Sequence, residues 1–210
     1  MRYTKTSNTN SNELKYHWPI DEFSVKDVLG GADLYGPVNA KFTENRFRIA
    51  NSALRLESGY YNLPIRDYFS GDFTLMVWLR KPSNAYDYER IIDCGPVTYD
   101  SVSLMISKGS SNKLFVQIKS SILEGSMVLG VNLWYHVTFV LKENICSIYV
   151  NGRLDAQGQV DFASNVNRTN CYLGKSLWDY NPNVKADFDD LKIFKKSLEP
   201  NEVFEEYLKS

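Results

Sequence analysis

The chain is built of short runs in which apolar and polar residues alternate, separated by clusters of Gly, Asn and Ser. In Phe73-Thr74-Leu75-Met76-Val77-Trp78-Leu79, the residues Phe73, Leu75, Val77 and Leu79 fall on one face at period 2. Tyr135, Val137, Phe139 and Leu141 repeat the pattern, as do Cys146, Ile148 and Val150, and then Leu191 and Ile193. Leu104 and Ile106, followed by Leu114, Val116 and Ile118, give two more short strands. Many strands at close spacing with turn residues between them predict an all-β sandwich or jelly roll. The sharpest turn signal is Asn151-Gly152 inside Tyr149-Val150-Asn151-Gly152-Arg153-Leu154, since both residues tolerate positive φ in a two-residue hairpin. A helix is expected only near the end, from Pro200 to Leu208. There Pro suits the first helical position, and Val203, Phe204, Tyr207 and Leu208 form one apolar stripe. Residues 1–12, polar and rich in Thr, Ser and Asn, read as a disordered tail, and 13–210 as one domain without linker or repeat.

Composition adds limits. With 210 residues, 43% of them hydrophobic, the chain can bury a core without help from metal or disulfide. The net charge is -1 with no basic block, so nucleic acid is not an expected partner. The most apolar stretch, Val128 to Leu141, is interrupted by Asn132 and His136, which argues against direct membrane insertion. The N-terminus has no apolar signal segment. The chain is therefore either a fragment of a secreted protein given a start Met or a protein not exported through this end. Cys94, Cys146 and Cys171 allow one disulfide and one free thiol, or three thiols. Cys146 and Cys171 sit on the apolar parity of their strands and should be buried as small hydrophobes. Asn167-Arg168-Thr169 is a glycosylation triplet that matters only in a secretory setting.

Seven segments, in order, carry a resemblance: YHWPID, ALRLESGYYNLP, FTLMVWLRK, LWYHVTFVL, IYVNGRL, CYLGKS and FDDLKIFKKSLEPNEV. Together they resemble the laminin-G-like (concanavalin-A-like) jelly-roll family over nearly the whole chain. The resemblance implies an antiparallel two-sheet β-sandwich of six or seven strands per sheet, with the terminal strands meeting near one edge. In this setting Trp78 and Trp134 read as core or second-layer aromatics, and His136 as hydrogen-bonded structure.

Catalysis finds no template. The two-glutamate, one-aspartate strand motif of laminarinase-type hydrolases that share this fold is absent, and Glu202, Glu205 and Glu206 lie on the final helix. His17 and His136 form no H-E-x-x-H. Gly174-Lys175-Ser176 lacks the first glycine of a phosphate loop, since Thr169 stands there, and there is no G-x-S-x-G.

Two binding features remain. The family often holds a structural calcium between the loop after the first strand and the last strand, which implies Asp27 and Asp189 as ligands and Asp33 as a weaker one. Parity with Leu191 and Ile193 puts Asp189 inside, where a carboxylate needs a partner. Calcium takes six to eight oxygens, and the alternative is hydrogen bonding from backbone N–H groups, with Asp27 capping a turn. The second feature is aromatic. Trp178, Asp179, Tyr180 and Asn181 in one loop, and Tyr86 and Tyr88 in another, mix rings with amides and carboxylates, as glycan sites and protein hot spots do. The alternative is that the rings fold back over the ends of the sandwich. The expected function is a non-catalytic recognition or adhesion module for glycans or protein surfaces, extracellular or on a cell or virion surface, beside neighbouring domains. A structural or virion-surface assembly subunit and a diverged polysaccharide-active enzyme are the rival readings.

Overall fold

The computed structural model describes residues 13–96 and 100–210, so the tail expected over 1–12 lies outside the described residues. Thirteen antiparallel strands and one C-terminal helix make up the described chain. In chain order the strands are β1 (Leu14–Trp18), β2 (Tyr35–Thr43), β3 (Ala53–Asn62), β4 (Phe73–Arg80), β5 (Arg90–Gly95), β6 (Val102–Met105) and β7 (Lys113–Ile118). They continue with β8 (Ser121–Val128), β9 (Trp134–Lys142), β10 (Ile145–Val150), β11 (Arg153–Gln159), β12 (Asn170–Leu173) and β13 (Val184–Phe194). Hydrogen bonding runs as one path, β11-β10-β9-β4-β13-β3-β12-β5-β6-β7-β8, because β12 bridges β3 and β5. The two ends of that path come together through side chains. Asp155 of β11 accepts the N–H groups of Ser126 and Met127 on β8, at 3.0 and 2.9 Å. The sandwich is thus nearly closed, and two N–H groups on the β8 edge are occupied.

The period-2 faces pack as expected. Phe73, Leu75, Val77 and Leu79 of β4 meet Val137, Phe139 and Leu141 of β9, Leu104 of β6 and Val116 and Ile118 of β7 in one core. The opposite face of β4, β9 and β10 is also covered, because the final helix lies over it. Met76, Val140, Tyr149, Phe194, Leu198 and Val203 form a second apolar cluster there. Trp78 and His136 belong to this layer: both rings pack on Tyr207 of α1 (Pro200–Lys209), and Trp78 Nε1 donates to Ser210 at 3.1 Å. The helix starts at Pro200 within a capping box between Glu199 and Glu202. Of its stripe, Val203 is buried while Phe204 and Leu208 remain exposed. Asn151 and Gly152 have φ of 50° and 73°, the values a tight two-residue hairpin requires. Asn151 also braces the strand beside it, accepting the His136 N–H at 2.9 Å.

The terminal strands β1 and β13 pair, with Trp18 opposite Leu191. One expectation fails on β13. Asp189 does not share a face with Leu191 and Ile193. Asp190 takes φ of 50° and the register with β4 slips between Asp189 and Lys192, so a bulge resets the alternation. Ala186 and Phe188 face the core before it, and Leu191 and Ile193 after it. Asp189 therefore lies on the outer face, paired in register with Trp78.

Cys94 on β5 and Cys171 on β12 are directly opposite and form a disulfide, with Cα atoms 4.1 Å apart. Cys146 and Cys171 are both buried as expected, but Cys171 is bonded rather than a free hydrophobe. Burial pushes the Cys146 thiol up to about 12. Native protein should therefore resist alkylation, and unfolding without reductant should expose one thiol by mass. Reducing the bond, which closes a separation of 77 residues, should lower the unfolding free energy by about 2–4 kcal/mol. Three thiols labelled after non-reducing unfolding would contradict the pairing.

Candidate ligand-binding site

Trp178, Tyr180, Asn181 and Tyr88 converge on one open groove of about 390 Å³ on the outer face of the β5–β8 layer. The aromatic segments of the chain thus meet in space although about 90 residues separate them in sequence. Arg90 of β5, Lys108 after β6, Phe115 and Gln117 of β7 and Ile122 of β8 complete the lining.

The loop that carries Trp178 hangs from a narrow neck. Gly174 donates to the Ile91 carbonyl at 2.9 Å, and Val184 donates back to the Gly174 carbonyl at 2.8 Å. Gly174 has φ of 91°, and a Cβ there would stand 2.8 Å from the Gly59 carbonyl oxygen, so the neck needs glycine. Inside the loop, the Ser176 hydroxyl accepts the Trp178 N–H at 3.0 Å and the Asn181 amide at 3.3 Å. The Asn181 N–H in turn donates to the Trp178 carbonyl at 3.1 Å. The result is a compact turn that holds the Trp178 ring half-buried and Tyr180 at 82% exposure.

Asp93 of β5 pins this turn to the sheet. Its side chain is 0% exposed. One oxygen accepts the Ser103 hydroxyl at 2.6 Å, and the other accepts Arg90 Nε at 3.2 Å and the Leu177 N–H at 3.0 Å. Burial pushes the Asp93 carboxyl above its ordinary value, against the pull of Arg90 and of these bonds. Arg90, so held, lies under the rings, with its guanidinium carbon 5.7 Å from the Trp178 centroid and 6.0 Å from Tyr88. Tyr88 leans edge-on against Phe115 at 6.3 Å. Its loop is anchored by the buried Lys81–Glu89 pair, whose carboxylate also accepts the Lys185 N–H at 3.0 Å.

Two expected contact residues lie outside the groove lining. Tyr86 is 76% exposed, and Asp179 is fully open to solvent beside Lys175 at 4.0 Å. Conversely, Arg90, Lys108, Phe115, Gln117 and Ile122 line it without having been singled out in the sequence. Phe115 carried a signal: it is a large ring on the polar parity of a strand whose Leu114, Val116 and Ile118 face the core.

Asp27, Asp33 and Asp189 lie elsewhere and do not gather. Both Asp27 oxygens accept backbone N–H groups, one from His17 and Leu29 at 2.9 and 3.1 Å, the other from Gly30 and Ala32, each at 3.0 Å. Asp33 accepts the Asp27 N–H at 2.9 Å. Asp189 is ion-paired with Arg46, and burial pushes its carboxyl up to about 7 despite that pair. Among the described residues, no three His, Cys, Asp or Glu side chains stand together as a metal site. As they stand, these carboxylates meet protein donors, not one another.

The nearly closed antiparallel β-sandwich is the fold of lectin-like domains. The family model of the concanavalin A-like lectin/glucanases superfamily matches residues 56–204, and the chain belongs to that superfamily. No curated protein matches the sequence. Domain 4 of AbnA, an extracellular arabinanase of Geobacillus stearothermophilus solved with arabinotriose, superposes with a TM-score of 0.79 at 17% identity, over 92% of this chain and 97% of that one. A botulinum neurotoxin type C structure, concerned with cell entry through two ganglioside molecules, gives 0.70 at 16% identity over 94% and 51%. The binding domain of botulinum neurotoxin DC, in complex with rat synaptotagmin II, gives 0.70 at 16% over 94% and 52%. The chain thus spans nearly all of the arabinanase domain and about half of the toxin chains. At these identities the shared property is the fold. A mosquitocidal toxin and several botulinum neurotoxin structures that also match are binding domains.

Replacing Asp93 by Asn should leave a buried guanidinium unpaired and lower the unfolding free energy by about 3–5 kcal/mol. The double variant Asp93→Asn, Arg90→Met should recover most of that loss in denaturant titrations. Wild-type stability in Asp93→Asn would remove Asp93 from its anchoring role.

Proposed function

We propose that the protein is a non-catalytic glycan-recognition module, extracellular or on a surface, and that the groove under Trp178 is its binding site. The observation that carries this reading is the convergence of Tyr88, Trp178, Tyr180 and Asn181 on a single groove. Aromatic rings offer flat apolar surface to the C–H faces of a sugar, and amide groups exchange hydrogen bonds with its hydroxyls. A loop already fixed by Asp93 and Ser176 loses little freedom on binding, which favours affinity. The arabinotriose held by the arabinanase domain is consistent with a sugar ligand on this fold. A protein partner is the second reading: Trp, Tyr and Arg, the residues that dominate protein hot spots, all line the groove.

A glycan array followed by calorimetry tests the proposal. Trp178→Ala should cost about 2 kcal/mol or more of binding, the range of a hot spot. Tyr180→Ala should weaken binding while changing stability by less than about 0.5 kcal/mol, as surface substitutions do. Full affinity in both variants would place the site elsewhere, with Tyr86 the next residue to vary.

A structural calcium involving Asp27, Asp33 or Asp189 would require displacing the donors that now meet these groups. A melt in millimolar calcium against chelator reads this out. An ion bound only by the folded state at a hundredfold excess over Kd adds about 2.7 kcal/mol, a shift of several degrees. Superimposed melts remove calcium from the account.

A further inference from the structure

We infer that the groove is selective for acidic glycans, those bearing a carboxylate or a sulfate ester, over neutral glycans of the same backbone. The inference rests on the glycan-binding reading and concerns the same groove. Its basis is the set of charged and polar groups along the lining. Arg90 and Lys108 line the groove, and no Asp or Glu does.

The carboxylate that balances Arg90 is held away from a ligand. Asp93 lies fully buried behind Arg90, and both its oxygens are already engaged by Ser103, Arg90 and the Leu177 N–H. Arg90 is 2% exposed and spends Nε on Asp93 and Nη1 on the Tyr88 carbonyl, so it adds positive charge from beneath the rings rather than an open donor. Lys108 Nζ is 3.9 Å from Glu124, with both side chains partly open to solvent at 42% and 36%. A pair of that kind is weak and exchanges readily for a better anion.

The amides complete the pattern. Asn181 donates its Nδ2 to Ser176, and Gln117 its Nε2 to the Lys119 carbonyl at 3.0 Å, so each keeps its amide oxygen as an acceptor. The groove thus combines one open cationic donor, Lys108, neutral acceptors and aromatic faces. A sugar acid presents the complement: an anionic group, hydroxyl donors and apolar C–H faces. The anionic group meets the Lys108 ammonium in a charge-assisted hydrogen bond, stronger than one a neutral hydroxyl makes to the same donor, above the buried charge of Arg90.

An array of matched pairs tests this, each neutral oligosaccharide printed beside its uronate, sialylated or sulfated counterpart. Signal on the acidic members at least about tenfold above their neutral partners is expected. The uronate and sialylated spots against the sulfated ones show which anion is taken. Lys108→Gln, a change at a partly exposed side chain, should lower affinity for the acidic member about tenfold and leave the neutral member within about twofold. Raising salt should weaken acidic binding alone. Equal binding of both members, abolished together by Trp178→Ala, would overturn the acidic preference while keeping the groove as a glycan site. Loss of both members to the same extent in Lys108→Gln would also overturn it. Binding to neither member of any pair would overturn the preference and the glycan reading together.

Discussion

A carboxylate taken out of water must be met by a cation or by donated N–H groups, and that requirement organises this sandwich. It is concentrated on β13, the longest strand, which carries Asp187, Asp189 and Asp190. Asp187 is 0% exposed and draws Arg55 from β3, with bonds of 2.6 and 2.8 Å, and Arg80 from β4 at 2.7 Å. Asp189 draws Arg46 from the β2–β3 turn. Asp190 draws His17 from β1 at 2.6 Å and Lys192 at 3.1 Å. Burial works against ionisation of Asp190, but the bonds from His17 and Lys192 outweigh it and hold the carboxyl down at about 2. β1, β3 and β4 are thereby tied to β13 by side chains as well as by backbone ladders, and the β2–β3 turn by the Arg46 pair alone. Removing one partner of such a set costs more than the pair contributes, because the other charge is left stranded.

The same rule shapes the groove on the opposite layer. Asp93 is satisfied by a sheet neighbour, Ser103, by Arg90 and by the backbone of the Trp178 loop. Meeting the needs of one buried acid thus fixes a loop and seats a guanidinium beneath two rings. The Cys94–Cys171 bond lies next to Asp93 on β5 and, on β12, three residues before the Gly174 neck, so it fixes the spacing of the strand that carries Asp93 and the strand that leads into the Trp178 loop.

Asp27 shows a third way to satisfy an acid. It takes four backbone N–H groups and no side-chain cation, and so folds the Gly30-Gly31 loop around itself. A carboxylate beside a glycine-rich loop has the same appearance in sequence whether it awaits a cation or gathers N–H groups. Only the direction of the backbone dipoles around it separates the two arrangements.

The sequence by itself determined the sandwich, the inward faces of its strands, the Asn151-Gly152 hairpin and the start of the helix at Pro200. Each of these follows from local rules: side-chain alternation at period 2, the positive φ that Asn and Gly accept, and the missing N–H of proline. It also marked Tyr86, Tyr88, Trp178, Asp179, Tyr180 and Asn181 as candidate binding residues, because rings beside amides and carboxylates stand out from strand patterns, and four of the six meet in the groove. The tertiary structure alone decided which residues join them. Arg90 and Lys108 come from other strands and turns, and nothing near them in sequence gives their distance from Trp178. It also decided the side on which Asp189 lies, because one bulge residue reverses every later position on a strand. Alternation is read from neighbours, whereas a slip in register is set by the partner strand, and that partner is known only once the chain has folded.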